Sequence, residues 1–513
     1  MRLNSLKLIF CLWVFTMHVF VSCEEQDSSI DKKEKPYLIA FYLSPSDNDE
    51  LTKQWNAEIS DSTVTLYCPD LEFSNNIKPR FEGHYIEMLV NGEKQVSGLS
   101  QQDFNKPVFY TLIGENNEKT VYKVIIKVSN MVPRLYIDTE NKALVDSKEK
   151  YVKAKAKLLN APDLGGALYD ECKIRGRGNS TWVLYDKKPY KLKFSNKQEP
   201  FGWPKNKDYV LLPDYVDRSL LRTAYMCEVS KAVGMEYTVK YQHIEIVLNG
   251  DYIGTYLMTD LVEKAKDRIN ISDDGYLIEE DGAWESEPLN FPTDIYSYHY
   301  TFKYPDADDS EIKEGDVNYS FIKQFVNNFE NALSLLDANP DDTSYANYID
   351  VESFAKWHLV SEITAIEDPN RFYTLYDKKS RLKMQPMWDA EWSMGLWANT
   401  WQMKAPPSIV ESEIWTRLVG RLHYFDQLMK SPLFLKTLKS EWEAVKVKLP
   451  EVRETINNLA ETLIYCQDAN FKRWPEPSVL IDVVNGSWKS EVDYINNFFE
   501  QRIEWLDDEI NNL

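Results

Sequence analysis

The sequence predicts an α+β chain with three parts: an N-terminal β-sandwich, a mixed region of strands and helices, and a helical C-terminal region. Short alternating apolar runs separated by turn residues extend from about 37 to 128, which is typical of a small sandwich. Strand and helix patterns then mix to about 310, and apolar residues at helical spacing dominate from about 315. The length of 513 residues also favours two or three domains.

The N-terminus has the pattern of a lipoprotein signal peptide over residues 1–23. A positively charged start precedes an apolar run, Leu8 to Val21, that is too short to span a bilayer comfortably. The run ends in FVSC, which resembles a bacterial lipobox, so we expect cleavage at Cys23 and its lipidation; ordinary secretion is the alternative. The acidic residues after Cys23 resemble surface-export signals of Bacteroidetes lipoproteins. The expected location is a lipid anchor in the outer membrane, at the cell surface, with residues 24–35 as a tether.

The composition is acidic, because 59 Lys and Arg oppose 81 Asp and Glu for a net charge of −22. Nucleic-acid binding needs a basic footprint, so this charge argues against it. A local basic pocket for a phosphorylated ligand stays open.

Four cysteines remain once Cys11 leaves with the signal peptide and Cys23 carries the lipid. They are widely spaced and contain no CxxC pair, so they fit neither a zinc site nor a disulfide framework. We expect them to be buried small hydrophobic residues. They are Cys68, Cys172, Cys227 and Cys466.

The predicted β-sandwich spans residues 36–130. Its stretch VSGLSQQDFNKPVFYTLIGENNEKTVYKVIIKV resembles the Ig-like N-terminal modules of Bacteroides surface lipoproteins. The resemblance implies a spacing or scaffolding role. Glycan binding is the alternative, with no specific residue to support it.

The remaining pattern predicts helices and one tight hairpin. A helix is expected with Ser219 as its N-cap and Gly234 at its end. Asn249-Gly250 predicts the turn of a two-stranded hairpin. Asp350 is expected to cap another helix, and the last helix is expected from about Glu491.

A first segment with candidate chemistry is KIRGRGNSTWVLYDKKPYKLKF. Glycine breaks around Arg175 and Arg177 would let backbone N–H groups approach an anion, which the cationic side chains would neutralise. Alternation along YKLKF puts Lys191 and Lys193 on one face. An exposed basic strand is the alternative interpretation. The lysines of the segment are Lys187, Lys188, Lys191 and Lys193.

A second segment is the hairpin IVLNGDYIGTYLMTD with the acidic residues that follow it. Asp260, Glu263 and Glu279 are candidate partners for a lysine. By itself this segment is more typical of a structural hairpin.

A third segment, EDPNRFYTLYDKKSRLKMQPMWDAEW, predicts a β-hairpin with acidic residues at its mouth. Because the two ends of a hairpin meet, Glu367 and Asp368 are expected near Asp389 and Glu391. Such carboxylates suit Mg²⁺, which binds through one or two of them plus substrate phosphates. Two-carboxylate glycoside hydrolysis is the alternative.

Together, these segments in this order resemble the spore-coat protein H (CotH) kinase-like family. The resemblance covers about 165–400 and is carried by RGRGNSTW, KKPYKLKF, IEIVLNGDYIGTYLMTD and MQPMWDAEWSMG. It implies an atypical protein-kinase-like α+β domain over 134–405, with 406–513 as its helical C-terminal extension. It further implies binding of ATP with Mg²⁺ or Mn²⁺, and transfer of the γ-phosphate to Ser or Thr of an extracytoplasmic protein.

The family motifs imply roles for four acidic or amide residues. Asp368 matches the catalytic Asp, which would accept the proton of the substrate hydroxyl. Asp389 and Glu391 occupy the metal element, and Asn370 would be a further ligand on the metal side.

The same motifs imply that lysine holds the phosphates. Lys188, Lys191 and Lys193 are the candidates, and the sequence does not choose among them. Arg177 would assist.

Three positions depart from the family pattern. Ile366 stands where Asn is usual, Glu391 where Asp is usual, and Asp260 where Glu is usual. An inactive nucleotide-binding relative is therefore the alternative to an active phosphotransferase.

A carbohydrate-binding or glycan-processing surface protein is a further hypothesis, because four tryptophans lie close together in the sequence. Aromatic platforms suit sugars, although such clusters also serve as core. The kinase hypothesis predicts that the basic first segment faces Asp368 and Asp389 across a cleft, whereas the glycan hypothesis predicts exposed Trp faces there. The tryptophans are Trp388, Trp392, Trp397 and Trp401.

Overall fold

A computed structural model describes most of the chain. The described residues are 35–49, 51, 54–68, 76–104, 107–128, 132–159, 168–307, 311–366, 370–396, 423–464, 466–475 and 486–513. The predicted lipidation site Cys23 and the predicted catalytic Asp368 lie outside them.

The N-terminal strands form two sheets, ordered β2-β1-β5 and β3-β4-β9-β8-β6-β7. Alternate residues of both sheets point into one core, where the rings of Phe41 and Tyr110 meet edge to face at 5.6 Å. The strands are β1 (Tyr37–Leu43), β2 (Trp55–Asn56), β3 (Glu58–Ser60), β4 (Thr63–Cys68), β5 (Arg80–His84), β6 (Glu87–Val90), β7 (Glu93–Lys94), β8 (Val108–Ile113) and β9 (Lys119–Val128).

The next seven strands close into a barrel, ordered β10-β11-β12-β13-β14-β16-β15. Its interior is filled by side chains from several strands, among them Ile137, Ile174, Leu192 and Tyr209. The residues that alternate with these along each strand face outward. The strands are β10 (Arg134–Thr139), β11 (Val152–Leu159), β12 (Leu168–Gly176), β13 (Tyr190–Gln198), β14 (Asn206–Leu212), β15 (Tyr241–Leu248) and β16 (Asp251–Asp260).

A five-stranded sheet, ordered β18-β19-β17-β20-β21, follows the barrel. Its strands are β17 (Tyr276–Glu280), β18 (Asn290–Pro292), β19 (His299–Tyr304), β20 (Arg371–Leu375) and β21 (Leu382–Met384).

Helices pack against this sheet and share one core with it. Tyr225 of the second helix meets Phe499 of the last helix at 4.8 Å between ring centres, so the C-terminal helices belong to the same packed unit. The helices are α1 (Ser180–Leu184), α2 (Arg222–Val233), α3 (Val317–Ser334), α4 (Val351–Thr364), α5 (His423–Leu428), α6 (Pro432–Lys446), α7 (Leu449–Leu463), α8 (Gln467–Arg473) and α9 (Trp488–Asn512). Within the described ranges, none of them is long and apolar enough to cross a membrane.

The α+β prediction and most local predictions are confirmed. Asn249 and Gly250 form the predicted turn, with φ angles of 58° and 95°. Gly234 ends α2 in the left-handed conformation. Asp350 caps α4, because its side chain accepts a hydrogen bond from the backbone N–H of Ser353 at 3.0 Å. The four cysteines after Cys23 are free and buried, as expected.

The predicted cap of α2 is wrong. The helix begins at Arg222 rather than directly after Ser219, and the side chain of Leu221, the residue before the helix, makes no cap. Instead the carboxylate of Asp217 accepts the backbone N–H of Arg222 at 2.8 Å and the guanidinium of Arg222 at 2.5 Å. The hydroxyl of Ser219 accepts the backbone N–H of Leu221 at 3.2 Å instead, and the buried carboxylate of Asp217 satisfies the first N–H of the helix with a charge-assisted bond.

Candidate functional site

A cavity of about 600 Å³ lies where the barrel meets the five-stranded sheet. The loop 177–181 after β12 and the segment 212–214 at the end of β14 line it from the barrel. Residues 279–282 at the end of β17 line it from the sheet. Residues 370–371 and 388–391, which flank the hairpin of β20 and β21, complete this part of the lining. Strand ends and loops thus bring four distant parts of the chain together.

The predicted hairpin is present, whereas Glu367 and Asp368 of its predicted acidic mouth lie outside the described residues. Thr374 of β20 pairs with Lys383 of β21. Beyond the strands, the backbone N–H of Asn370 donates to the carbonyl of Trp388 at 3.4 Å. This bond brings the residues before β20 next to those after β21, so Asn370 and Asp389 line the same cavity.

Arg177 supplies a cation to the cavity. Its backbone N–H donates to the carbonyl of Pro189 at 3.2 Å, and its guanidinium carbon lies 5.8 Å from the centre of the Trp388 ring. Burial lowers the pKa of the guanidinium, while Asp389 and Glu279 raise it. An arginine remains charged in proteins, so Arg177 is a fixed cation beside two carboxylates.

Glycine makes the turn after Arg177 feasible. Gly178 has a φ of 83°, and a Cβ there would lie 2.2 Å from Oγ1 of Thr181. The sequence predicts an anion-binding loop at these glycines, and residues 177–181 line the cavity.

Two carboxylates follow β21. Asp389 is exposed and has a φ of 68°. Glu391 is buried; its Oε1 accepts the backbone N–H of Val216 at 2.8 Å, and its Oε2 accepts the hydroxyl of Tyr185 at 3.2 Å. Burial raises the pKa of the Glu391 carboxyl to about 7, and repulsion from Asp217 and Asp389 adds to the rise. The two carboxylates are therefore close enough for Asp389 to affect the protonation of Glu391.

Asp214 is a further carboxylate of the cavity and is not among the residues predicted from the sequence. It follows Pro213 at the end of β14 and has a φ of 42°. Burial raises the pKa of its carboxyl well above the usual range, and Glu391 and Asp217 raise it further. The sequence signal that could have identified Asp214 is the Pro-Asp pair directly after an apolar strand.

Asn370 is oriented by an ion pair behind it. Its Nδ2 donates to Oε1 of Glu279, whose Oε2 lies 3.0 Å from the ammonium of Lys303. Because the amide nitrogen makes this bond, the amide oxygen is the atom that can bind a cation. Lys303 on β19 was not identified from the sequence, since it lies far from the motifs.

Lys187 lies behind the cavity, and its ammonium makes three hydrogen bonds within the protein. Its ammonium donates to the carbonyls of Pro213 at 2.6 Å and of Thr255, and to Oδ1 of Asn470 at 3.0 Å. These bonds use all three of its donors. Burial lowers the pKa of Lys187 to about 7, although Asp214 raises it.

The three candidate phosphate lysines do not line the cavity. Lys188 donates to the carbonyl of Trp182 at 2.8 Å. Lys191 and Lys193 share one face of β13, as alternation predicts, and lie 3.6 and 3.5 Å from the carboxylate of Asp208. Their phosphate-binding role stays a prediction, as does the catalytic role of Asp368.

Two of the three acidic residues of the second segment, Asp260 and Glu279, pair with a lysine as predicted. Asp260 lies 3.3 Å from Lys240 and 3.2 Å from Arg268, and Glu263 lies 2.5 Å from Arg268. Glu279 alone of the three lines the cavity, with Lys303 as its lysine partner.

No group of three or more His, Cys, Asp or Glu side chains in the described part of the chain could hold a metal ion. Four of the predicted site residues nevertheless meet at the cavity. They are Arg177, Asn370, Asp389 and Glu391.

Comparison with known proteins agrees with the motif order. A search among curated proteins gives no significant match. The model of one family, described as CotH kinase protein, matches residues 174–506, which is more than half of the chain. That range includes every described residue of the cavity and the C-terminal helices up to residue 506. The chain therefore belongs to the CotH kinase protein family.

Proposed function

We propose that the chain is a protein kinase that transfers the γ-phosphate of ATP to a Ser or Thr hydroxyl of an extracytoplasmic protein, with Mg²⁺ or Mn²⁺. The observation that carries the proposal is that Arg177 and Asp389 line the same cavity. Its volume of about 600 Å³ lies within the roughly 300–1,000 Å³ range of small-molecule sites. A cation and carboxylates around such a volume suit a metal-bound phosphate chain.

Arg177 would bind the phosphate oxygens. Its planar guanidinium can donate two parallel hydrogen bonds to a phosphate, which a lysine cannot do. Gly178, Asn179 and Ser180 follow it in the cavity lining, so their backbone can approach the same anion. Phosphate binding is thus assigned to this loop rather than to the lysines of β13.

Asp389, with the amide oxygen of Asn370, would hold the metal ion. Mg²⁺ binds through one or two protein carboxylates and completes its shell with water and phosphate oxygens, so a cage of three carboxylates is not required. Asp214, Asp389 and Glu391 line the same cavity, and this set of carboxylates supports a cation there. When bound, the ion would neutralise charge on the phosphates.

Asp368 would act as the catalytic base, as the family resemblance implies. The acceptor oxygen forms a bond to the γ-phosphorus, the bond between that phosphorus and ADP breaks, and the hydroxyl proton moves to the carboxylate of Asp368. Asp368 is two residues from Asn370 in the sequence, and Asn370 lines the cavity.

The environment of the tryptophans supports the kinase over the glycan hypothesis. Trp388 is 8% exposed and lies under Arg177. Trp392 packs in a small core with Tyr185 and Tyr215. Trp397 and Trp401 lie outside the described residues. Neither described ring offers an exposed platform for a sugar, whereas a basic residue does face Asp389.

The same proposal covers the location of the enzyme. A lipid on Cys23 would anchor the chain in the outer membrane. Each CH₂ group of the lipid that is buried in the bilayer contributes roughly 0.8 kcal/mol to the free energy of anchoring. The N-terminal strands would form an Ig-like module that spaces the kinase domain from the membrane.

Phosphate transfer from labelled ATP to a mixture of unfolded acceptor proteins, with MgCl₂, tests the function. We expect incorporation by the wild-type protein, and none by Asp368→Asn although this variant still binds ATP. Full incorporation of phosphate by Asp368→Asn would show that Asp368 is not the catalytic base. Absence of incorporation by the wild type with every acceptor would contradict the proposed kinase activity.

A further inference from the structure

A track of cationic side chains leads from the cavity across the outside of the barrel. Lys173, Arg175 and Arg177 follow one another at two-residue spacing along β12 and its continuation. Alternate residues of a strand share a face, and Cys172 and Ile174 between them point into the barrel. The track therefore begins at the cation of the cavity and extends along one face of the strand.

Neighbouring strands widen the track. Lys173 is paired directly with Lys153 of β11 on one side and with Lys193 of β13 on the other. Arg175 is paired with Lys191 in the same way. Like charges directly opposite each other destabilise a sheet, so this arrangement costs stability in the isolated protein.

Internal carboxylates compensate the track only in part. Lys191 and Lys193 share the single carboxylate of Asp208. Lys153 and Lys173 are exposed, and in the described part of the chain no carboxylate lies within 4 Å of either ammonium. The excess positive charge is notable in a chain with a net charge of −22.

The outer end of the track forms a depression of about 740 Å³. Two cations of the track also contact an aromatic ring, because Lys173 and Arg175 lie 4.4 and 5.0 Å from the centre of the Tyr151 ring. The charged residues of its lining are Asp138, Glu140, Lys153, Lys155, Glu171, Lys173, Lys193 and Lys207.

We propose that this cationic track, formed by Lys153, Lys173, Arg175, Lys191 and Lys193, docks an acidic extended segment of the protein that the enzyme phosphorylates. The inference rests on the proposed function, since it assigns the acceptor's chemistry. Charge complementarity selects an acidic partner, and the linear geometry selects an extended polypeptide. Same-face residues of a strand repeat about every 6.7 Å, which is also the repeat of alternate side chains in an extended peptide.

The geometry sets the spacing within the acceptor. Lys173 precedes Arg177 by four residues, which corresponds to about 13 Å of extended chain. An acceptor hydroxyl in the cavity therefore has its acidic residues about four positions away.

Binding of two labelled peptides tests the track without ATP. One peptide carries a Ser and, four residues away, a run of Glu; the matched peptide has Gln in place of Glu. We expect the Glu peptide to bind more tightly, and NaCl to weaken its binding, because exposed ion pairs are screened. The double variant Lys153→Gln/Lys173→Gln should weaken binding about tenfold, because it removes two exposed ion pairs with the peptide.

The control variant is Lys436→Gln/Lys489→Gln, whose lysines are exposed on α6 and α9 away from the track. It should bind the Glu peptide like the wild type. The track variant should fold, because the substitutions relieve repulsion, and its melting temperature checks this. Equal affinity for both peptides, or unchanged binding by the track variant, would overturn the inference. Binding of heparin without any binding of the Glu peptide would reassign the track to an anionic polysaccharide and overturn it too.

The two proposals fail separately. If the Glu peptide binds but no peptide is phosphorylated with Mg²⁺ and ATP, the docking track stands and the kinase is contradicted. If both peptides bind equally and are phosphorylated at the same rate, the kinase stands and the track is contradicted.

Discussion

The ammonium of Lys187 donates a hydrogen bond to Oδ1 of Asn470 at 3.0 Å, although 283 positions separate the two residues in the sequence. The same amide oxygen accepts the backbone N–H of Thr255 at 3.0 Å. The side chain of Lys187 thus ties α8 to the barrel directly behind the cavity. The C-terminal helices support the site rather than forming an independent appendage.

Gly254 allows this close approach, so replacing it should loosen the contact. It has a φ of 104°, and a Cβ there would lie 2.6 Å from Oδ1 of Asn470 and 3.2 Å from Cε of Lys187. We expect Gly254→Ala to lower the free energy of unfolding by about 2–4 kcal/mol, through left-handed strain and overpacking. Denaturant unfolding measures the change.

Gly250 provides the control for that substitution. Its φ is 95°, and a Cβ there would meet nothing within 4 Å. Gly250→Ala should therefore cost only the backbone strain, about 1–2 kcal/mol. Equal losses for the two variants would show that the contact with α8 adds nothing.

Arg177 should matter for ATP affinity. Removing a charged donor that binds phosphate costs about 1.5–3 kcal/mol, or roughly tenfold to a hundredfold in Kd. We expect this loss for Arg177→Gln in titration calorimetry. Arg177→Lys keeps the charge but lacks the two parallel donors of the guanidinium. Its Kd for ATP should therefore lie between those of the wild type and Arg177→Gln. An unchanged Kd for Arg177→Gln would remove the arginine from the phosphate site.

Asp389 should determine the dependence on metal. Asn tolerates the left-handed conformation that Asp389 adopts at a φ of 68°, so Asp389→Asn should fold normally. We expect the variant to bind ATP with nearly the same affinity in MgCl₂ and in EDTA, whereas the wild type binds more tightly with MgCl₂. Asp468→Asn, an exposed carboxylate of α8, is the control and should behave like the wild type. Retained magnesium dependence in Asp389→Asn would exclude this residue as a principal ligand.

His243 should make the fold sensitive to acid. Its Nε2 donates to the carbonyl of Leu220 at 2.7 Å, and burial lowers its pKa to about 4. Between pH 6.5 and 4 the folded state then binds fewer protons than the unfolded state. The stability that neutral His243 contributes is therefore fully present above pH 6.5 and is lost as the pH falls from 6.5 through 4. The separation corresponds to about 3 kcal/mol.

His243→Gln isolates this contribution. The amide of Gln can donate the same hydrogen bond and does not titrate, so the free energy of unfolding should vary less between pH 6.5 and 4. Chemical unfolding at several pH values measures the slope. Identical slopes for the variant and the wild type would assign the acid sensitivity to other groups.

Local patterns predicted the elements that position the site, and long-range contacts decided the rest. Alternation and turn residues identified the hairpin of β20 and β21, and hence the meeting of Asn370 with Asp389. The same alternation correctly put Lys191 and Lys193 on one face, but it could not show that this face is the outside of the barrel. That assignment depends on which face of β13 packs inward, which is a property of the closed sheet.

The burial of Lys187 and Asp214 could not be predicted from local sequence patterns. Lys187 is buried because Asn470, far along the chain, accepts from it. Asp214 lies in the cavity because β14 ends there. At the start of α2, Asp217 accepts the first N–H of the helix, and its carboxylate also pairs with the guanidinium of Arg222. In each case a tertiary partner determined the role of a residue whose local pattern was ambiguous.

The most direct test of the account is the melting temperature of the purified protein with ATP, with MgCl₂, and with both. A ligand that binds only the folded form stabilises it by RT ln(1 + [L]/Kd), so we predict a rise with both together that exceeds the sum of the separate effects. The rise should disappear in Arg177→Gln/Asp389→Asn. No shift with millimolar ATP and Mg²⁺ or Mn²⁺, or an equal shift in the double variant, would contradict a metal-nucleotide site between these two residues.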